Sequence, residues 1–222
     1  MRLTPFLYSG RVDFRISDVE ARVLGALLEK DMATPEYYPL SLNALVNACN
    51  QKNNRDPVVS YDEATVEEAV ESLRPKGLST RISGPGMRVE KYGHRLSEKF
   101  NFDRRELAVL CVLLLRGPQT LGELRSRTER MHRFDGLDAV AATLRRLAER
   151  EDGPWVTTLP HAPGTKEPRH AHLLAGDVEH FEPAAAPPAE DRLSRLEEEV
   201  SALRGVLRDL TEQFAAFRRR FE

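Results

Sequence analysis

Ser17-Asp18-Val19-Glu20 opens the apolar run Val23-Leu24-Gly25-Ala26-Leu27-Leu28, and Asp103-Arg104-Arg105-Glu106 opens a second, Val109-Leu110-Cys111-Val112-Leu113-Leu114. The two stretches stand 86 residues apart in register, from 17 to 103 and from 20 to 106. In each, a Ser or Asp side chain can accept from an orphan backbone N–H, and the Glu three residues on can reach back to the cap. Each therefore reads as a capping box at the start of a buried helix.

The repeat continues beyond these helices. Ser41-Leu42-Asn43-Ala44-Leu45 and Thr120-Leu121-Gly122-Glu123-Leu124 each begin a short helix with the spacing of the leucines kept. A longer helix follows in both copies. Val66, Val70 and Leu73 mark its inner face in the first, with Ser60 and Glu63 as a capping box; Leu137, Val140, Leu144 and Leu147 mark it in the second. Each copy then turns to a β pattern. Leu78–Ile82 and Met87–Tyr92 flank Gly84-Pro85-Gly86, and Trp155–Leu159 and Arg169–Leu173 flank Ala162-Pro163-Gly164. Gly and Pro between two alternating runs predict a hairpin. Three helices followed by a hairpin is the winged-helix layout, an elaborated helix-turn-helix.

The expected fold class is mainly α with small β-hairpins (α+β): two tandem winged-helix domains, each with its own apolar core, plus a C-terminal coiled-coil helix. The boundaries read as an N-terminal arm at 1–15, a first winged-helix domain at 16–96, a connector at 97–102 and a second domain at 103–176. A Pro/Ala-rich linker at 177–190 and a coiled-coil helix at 191–222 complete the chain. In that last segment Leu193, Leu196, Val200, Leu203, Leu207, Leu210, Phe214, Phe217 and Phe221 alternate in steps of three and four. Such a seam, sustained over about four heptads, predicts self-association into a homo-oligomer. Glu197–Glu199 near its start and Arg218–Arg220 near its end favour an antiparallel partner; the alternative is one amphipathic helix folding back on its own chain.

Composition narrows the function classes. Of 222 residues, 31% are charged, yet the formal net charge is −2. A chain whose main partner is bulk nucleic acid is usually strongly basic, so any such contact here must use local patches. The two cysteines, Cys49 and Cys111, sit among apolar residues and read as small buried hydrophobes. No secretory signal and no membrane-spanning run is expected, which points to the cytoplasm. No Gly-rich phosphate loop, HExxH or GxSxG motif is present, so no enzyme and no cofactor is expected. His170 and His172 have a spacing compatible with metal, with His161 or His180 as unconstrained third ligands, but no metal site is expected.

The helix that would normally enter the major groove is acidic in the first copy, with Glu63, Glu67, Glu68 and Glu71 on its outer positions. Bringing that face to DNA would set carboxylate against phosphate. Candidate nucleic-acid contacts therefore fall elsewhere: Arg81, Arg88, Lys91 and Arg95 on or after the first hairpin, and Arg125, Arg127, Arg130 and Arg133 after the short helix of the second copy. Solvated surface charge is the competing reading, with Glu123–Arg127 and Glu129–Arg133 at helical spacing. The amides of Asn50–Pro57 could read base edges, but a structural role in the loop is favoured.

Thr34-Pro35-Glu36-Tyr37-Tyr38-Pro39-Leu40-Ser41, Ala48-Cys49-Asn50-Gln51-Lys52 and Asn54-Arg55-Asp56-Pro57-Val58 closely resemble the YceH family of bacterial proteins, as do Leu115-Arg116-Gly117-Pro118-Gln119-Thr120, Gly122–Arg127 and Arg150–Pro154. The resemblance spans about residues 17–174 and implies two winged-helix domains in tandem. It brings no substrate, reaction or ligand. Two functional expectations stand: a non-enzymatic, nucleic-acid-associated protein with a possible regulatory role, contacting DNA through the basic residues above, or a protein–protein interaction scaffold using the winged helices and the coil.

Overall fold

A computed structural model describes residues 14–84, 88–160 and 167–176. The coiled-coil and linker expectations fall outside these residues. Among the described residues, seven α-helices and two small antiparallel sheets make a mixed α/β structure. The first copy runs α1 (Asp18–Ala33), a 3-10 turn at Pro35–Tyr37, β1 (Leu40–Ser41), α2 (Leu42–Cys49), α3 (Glu63–Ser72), β2 (Ser79–Ile82) and β3 (Lys91–His94). After α4 (Leu96–Phe100), the second runs α5 (Arg104–Arg116), α6 (Leu121–Arg127), α7 (Leu137–Glu149), β4 (Val156–Thr158) and β5 (His170–His172).

Both capping boxes form. Ser17 Oγ accepts from Glu20 N and Glu20 accepts from Ser17 N at 2.7 Å; Asp103 and Glu106 repeat the exchange at 2.9 and 2.8 Å. Each N-cap of this kind stabilises its helix by ~1 kcal/mol. The shorter helices repeat the device in part. Ser41 caps α2, and Thr120 caps α6 with Glu123 completing the box.

The repeat reaches the strands as well. Leu40, one residue before the α2 cap, pairs with Tyr92 of β3. Gln119, one residue before the α6 cap, makes an isolated bridge to His170 of β5. The first sheet therefore has three strands in the order β1-β3-β2, and the second keeps its third strand only as that bridge.

Five expectations need correction. The first copy's third helix is capped by Asp62, whose Oδ1 accepts from Thr65 N at 2.8 Å, not by Ser60. Its second strand begins at Lys91 instead of Met87, because Val89 is 58% exposed and burial starts only at Tyr92 and continues through His94. The connector at 97–102 is largely helical, as α4. Leu137 is 46% exposed: it is the first residue of α7, and the helix meets the core one turn later at Val140, Leu144 and Leu147.

The fifth correction concerns the core, which is one and not two. The buried apolar residues of both copies join in a single cluster through α1 and α5. Cys111 Sγ donates to Gly25 O at 3.4 Å, and these two residues are themselves 86 apart. The helices thus touch at equivalent positions, a self-complementary contact like that of a two-fold dimer. A Cβ on Gly25 would lie 2.8 Å from Leu115 Cγ, so only glycine permits this approach. The ends of the two copies meet too, with Ile16 N donating to Leu174 O at 2.9 Å. Phe100 and Phe102 pack edge-on against Trp155, tying α4 and its exit to the second copy.

Candidate functional site

The cations of the first hairpin are largely answered by acids. Arg81 on β2 lies 3.4 Å from Glu90 and 3.8 Å from Glu71, and Arg95 Nε donates to Glu98 at 3.0 Å. Lys91 opens β3 and is half-buried, while Arg88 is exposed. In the second copy Arg133 is 4.0 Å from Glu129, and Arg125 and Arg130 are exposed with no ion pair among the described residues. Arg127 sits 3.4 Å from Glu123 and donates to Gln119 Oε1.

The loop after α2 is structural at its base. Asn50 exchanges two hydrogen bonds with the Tyr61 backbone, 2.7 and 2.8 Å. The Arg55 side chain, 0% exposed, reaches Glu29 at 2.6 and 3.2 Å and the Ala48 carbonyl at 2.8 Å. Arg55 thereby closes the C-terminal end of α2 and anchors the loop to α1. The loop also grips the second copy, because Asp56 N donates to Leu115 O at 3.0 Å and Arg116 donates to the Asn54 side chain. Asn54 adopts a left-handed conformation (φ 62°), which Asn tolerates better than most residues.

A cleft of about 570 Å³ opens where these parts meet. The last turn of α1 (Glu29, Lys30, Ala33, Thr34), the tip of the loop (residues 51–54), the last turn of α5 and the segment 126–131 after and at the end of α6 form its walls. Arg104 fixes one edge, donating to Met131 O at 2.8 Å and Met32 O at 3.1 Å. Gln119 holds the turn below Arg116, its amide donating to Arg116 O at 3.0 Å and Pro118 O at 3.0 Å.

The lining carries five cations (Lys30, Lys52, Arg116, Arg127, Arg130) and two acids, Glu29 and Glu129. Glu29 is engaged by Arg55, which lies behind the wall, and Glu129 by Arg133. Burial pushes the Arg116 guanidinium below its ordinary value, and the nearby positive charges of Arg127 and Arg55 push it further. Glu29 and Asp56 pull the other way without cancelling the lowering. Burial alone would raise the carboxyl of Glu123, but its bond from Thr120 N and the adjacent Arg127 and Arg169 hold it below the usual range.

Of the eight candidate cations, Arg127 and Arg130 line the cleft and the four of the hairpin do not. Lys30, Lys52 and Arg116 were missed. The repeat carried a signal for two of them, since Lys30 and Arg116 stand 86 apart, on the last turns of α1 and α5. Several stretches that carry the family resemblance, remote in sequence, also converge here: Gln51, Lys52 and Asn54, then Leu115 and Arg116, then Ser126 at the end of α6.

Other candidate chemistry is placed as follows. Cys49 and Cys111 are buried, and burial pushes the Cys49 thiol up to about 12 and that of Cys111 up as well. His170 Nε2 and His172 Nδ1 have no hydrogen-bond partner among the described residues. Burial lowers both imidazoles, that of His172 to about 4. The described residues contain no cluster of three or more metal-ligating side chains; His161 and His180 lie outside them. The self-association seam from Leu193 to Phe221 is likewise outside. No helix among the described residues is long and apolar enough to cross a membrane.

Fold and cleft together define a mixed α/β protein of two fused helical repeats with a basic pocket at their junction. Residues 16–165 match the family described as "Protein of unknown function, DUF480", and the chain belongs to that family. It is 55% identical over 217 residues to a UPF0502 protein of Solibacter usitatus, covering 95% of this chain and 100% of the relative. It is 56% identical over 191 residues to one of Opitutus terrae, covering 85% and 83%. A UPF0502 protein of Pelobacter propionicus is 52% identical over 217 residues, covering 93% and 98%.

Proposed function

We propose that this YceH-like chain is a non-enzymatic, cytoplasmic pair of tandem winged helices that holds nucleic acid by its phosphates, chiefly through the second copy. The order helix, strand, helix, helix, hairpin in the first copy supports the winged-helix reading, and the bridge at Gln119 supplies its remnant in the second. The observation that carries the nucleic-acid reading is the grouping of Arg125, Arg127 and Arg130 at the end of α6. Two of the three are exposed and lack an ion pair among the described residues. The hairpin cations support it less, since Arg81 and Arg95 already face acids.

A labelled DNA duplex titrated with the protein at several salt concentrations tests this. Affinity should fall steeply with salt, and Arg125→Ala, Arg127→Ala and Arg130→Ala should each lower the log–log salt slope by about 1. Binding that is undetectable at low salt would instead favour an interaction scaffold. The exposed Glu63, Glu67 and Glu68 of α3 favour that second reading, as does the heptad seam read from the sequence.

A further inference from the structure

We propose that the cleft at the junction of the two copies is a binding site for a small organic phosphate of nucleotide size. Its volume of about 570 Å³ lies within the ~300–1,000 Å³ of small-molecule pockets. The site shares Arg127 and Arg130 with the nucleic-acid reading and differs from it in Lys30, Lys52 and Arg116, while Arg125 lies outside the cleft.

Charge selects the phosphate. The two lining acids already have partners outside the lining and Arg127 is itself paired with Glu123, which leaves a surplus of four cations, Lys30, Lys52, Arg116 and Arg130, with no ion pair among the described residues. The C-terminal ends of α1, α5 and α6 oppose an anion, at about half an elementary charge each. That deficit is smaller than the surplus. The end carbonyls are also occupied: Leu115 O by Asp56 N, Arg116 O by Gln119, Met32 O by Arg104 and Lys30 O by Thr34 N. Guanidinium forks match phosphate oxygens in pairs, and a bound anion would favour the charged form of Arg116, which burial and then the neighbouring Arg127 and Arg55 disfavour.

The remaining lining suits the organic part. Ala33, Val112, Leu115 and Met131 give an apolar floor, while Asn53 offers an amide donor and acceptor, and Gln51, whose Oε1 already accepts from Arg55, an amide donor, to a polar ring edge. Because both copies supply walls, a ligand here binds across the joint and is sensitive to its integrity.

Calorimetric titration and thermal unfolding with AMP, adenosine and inorganic phosphate, at ionic strength matched with KCl, test the site on the full chain. AMP should bind saturably and raise the unfolding temperature, with inorganic phosphate weaker and adenosine inert. Lys52→Gln and Arg116→Gln should each weaken AMP by about tenfold, the worth of one charge-assisted hydrogen bond. Arg116 also holds Asn54, so Lys52→Gln decides if Arg116→Gln is unstable; Lys52 is exposed and has no ion pair among the described residues. Arg125→Ala, outside the cleft, should leave AMP binding intact. AMP acting no differently from KCl, adenosine binding as well as AMP, inorganic phosphate matching AMP, or AMP binding indifferent to Lys52→Gln would each overturn the proposal. Duplex binding in a protein that ignores AMP would end this site and leave the nucleic-acid reading standing.

Discussion

His172 shows how a single residue ties pH to stability. Its Nδ1 is shut from water without a partner, and burial drops the imidazole from 6.5 to about 4, with Asp18 at the start of α1 offering a weak opposing pull. A depressed folded-state value means the unfolded chain takes up the proton first as pH falls. The stabilisation is therefore complete above about 6.5 and drains away between 6.5 and 4. Between pH 7 and pH 5 the loss amounts to ~2 kcal/mol. Urea unfolding of wild type and His172→Leu at both pH values checks this: the wild type should lose ~2 kcal/mol more than the variant over that interval. Parallel profiles would show that His172 is not held neutral. Gly25 sets a different constraint, since it lets α1 approach α5 at the one point where a side chain would collide with Leu115.

The loop between α2 and α3 is the element on which the junction depends. Arg55 is a buried cation whose charge is balanced by Glu29, itself with a side chain only 15% exposed. Replacing Arg55 by Met strands that carboxylate and the Ala48 carbonyl, and should lower the unfolding free energy by ~3–5 kcal/mol in a denaturant titration. Adding Glu29→Met should recover part of the loss. A cost below ~1 kcal/mol would mean the pair behaves as a solvent-exposed one.

Elements governed by local rules were legible in the sequence. The capping boxes at Ser17 and Asp103 depend on side chains three residues apart, and the starts of the short helices at Ser41 and Thr120 follow the spacing of their leucines. The structural role favoured for Asn50–Pro57 also matches Asn50 and Arg55. Strand limits and the cleft depend on distant partners. The two-residue β1 exists only because Leu40 meets Tyr92, and β3 starts late because Val89 finds no core to face. The cleft joins α1, the loop, α5 and α6, so no one stretch announces it. Only the 86-residue offset between Lys30 and Arg116 hints at it, and the arginines of α6 stand out in the sequence without the neighbours that complete the cleft.

At the scale of the molecule, duplication explains both the core and the pocket. Two copies of a helical unit pack through the same face of their first helices, Gly25 against Cys111, and the gap left beside that contact collects the cations at the helix ends. If the contact is what joins the two copies in one core, the copies must unfold together. The chain reports on each separately, because its single tryptophan, Trp155, lies in the second copy and all five tyrosines lie within the first 92 residues. Equilibrium urea unfolding followed by Trp155 fluorescence and by the tyrosine near-ultraviolet signal is the most direct test. The shared core requires the two curves to coincide in midpoint and slope. Two resolved transitions, one copy melting while the other stays folded, would contradict it.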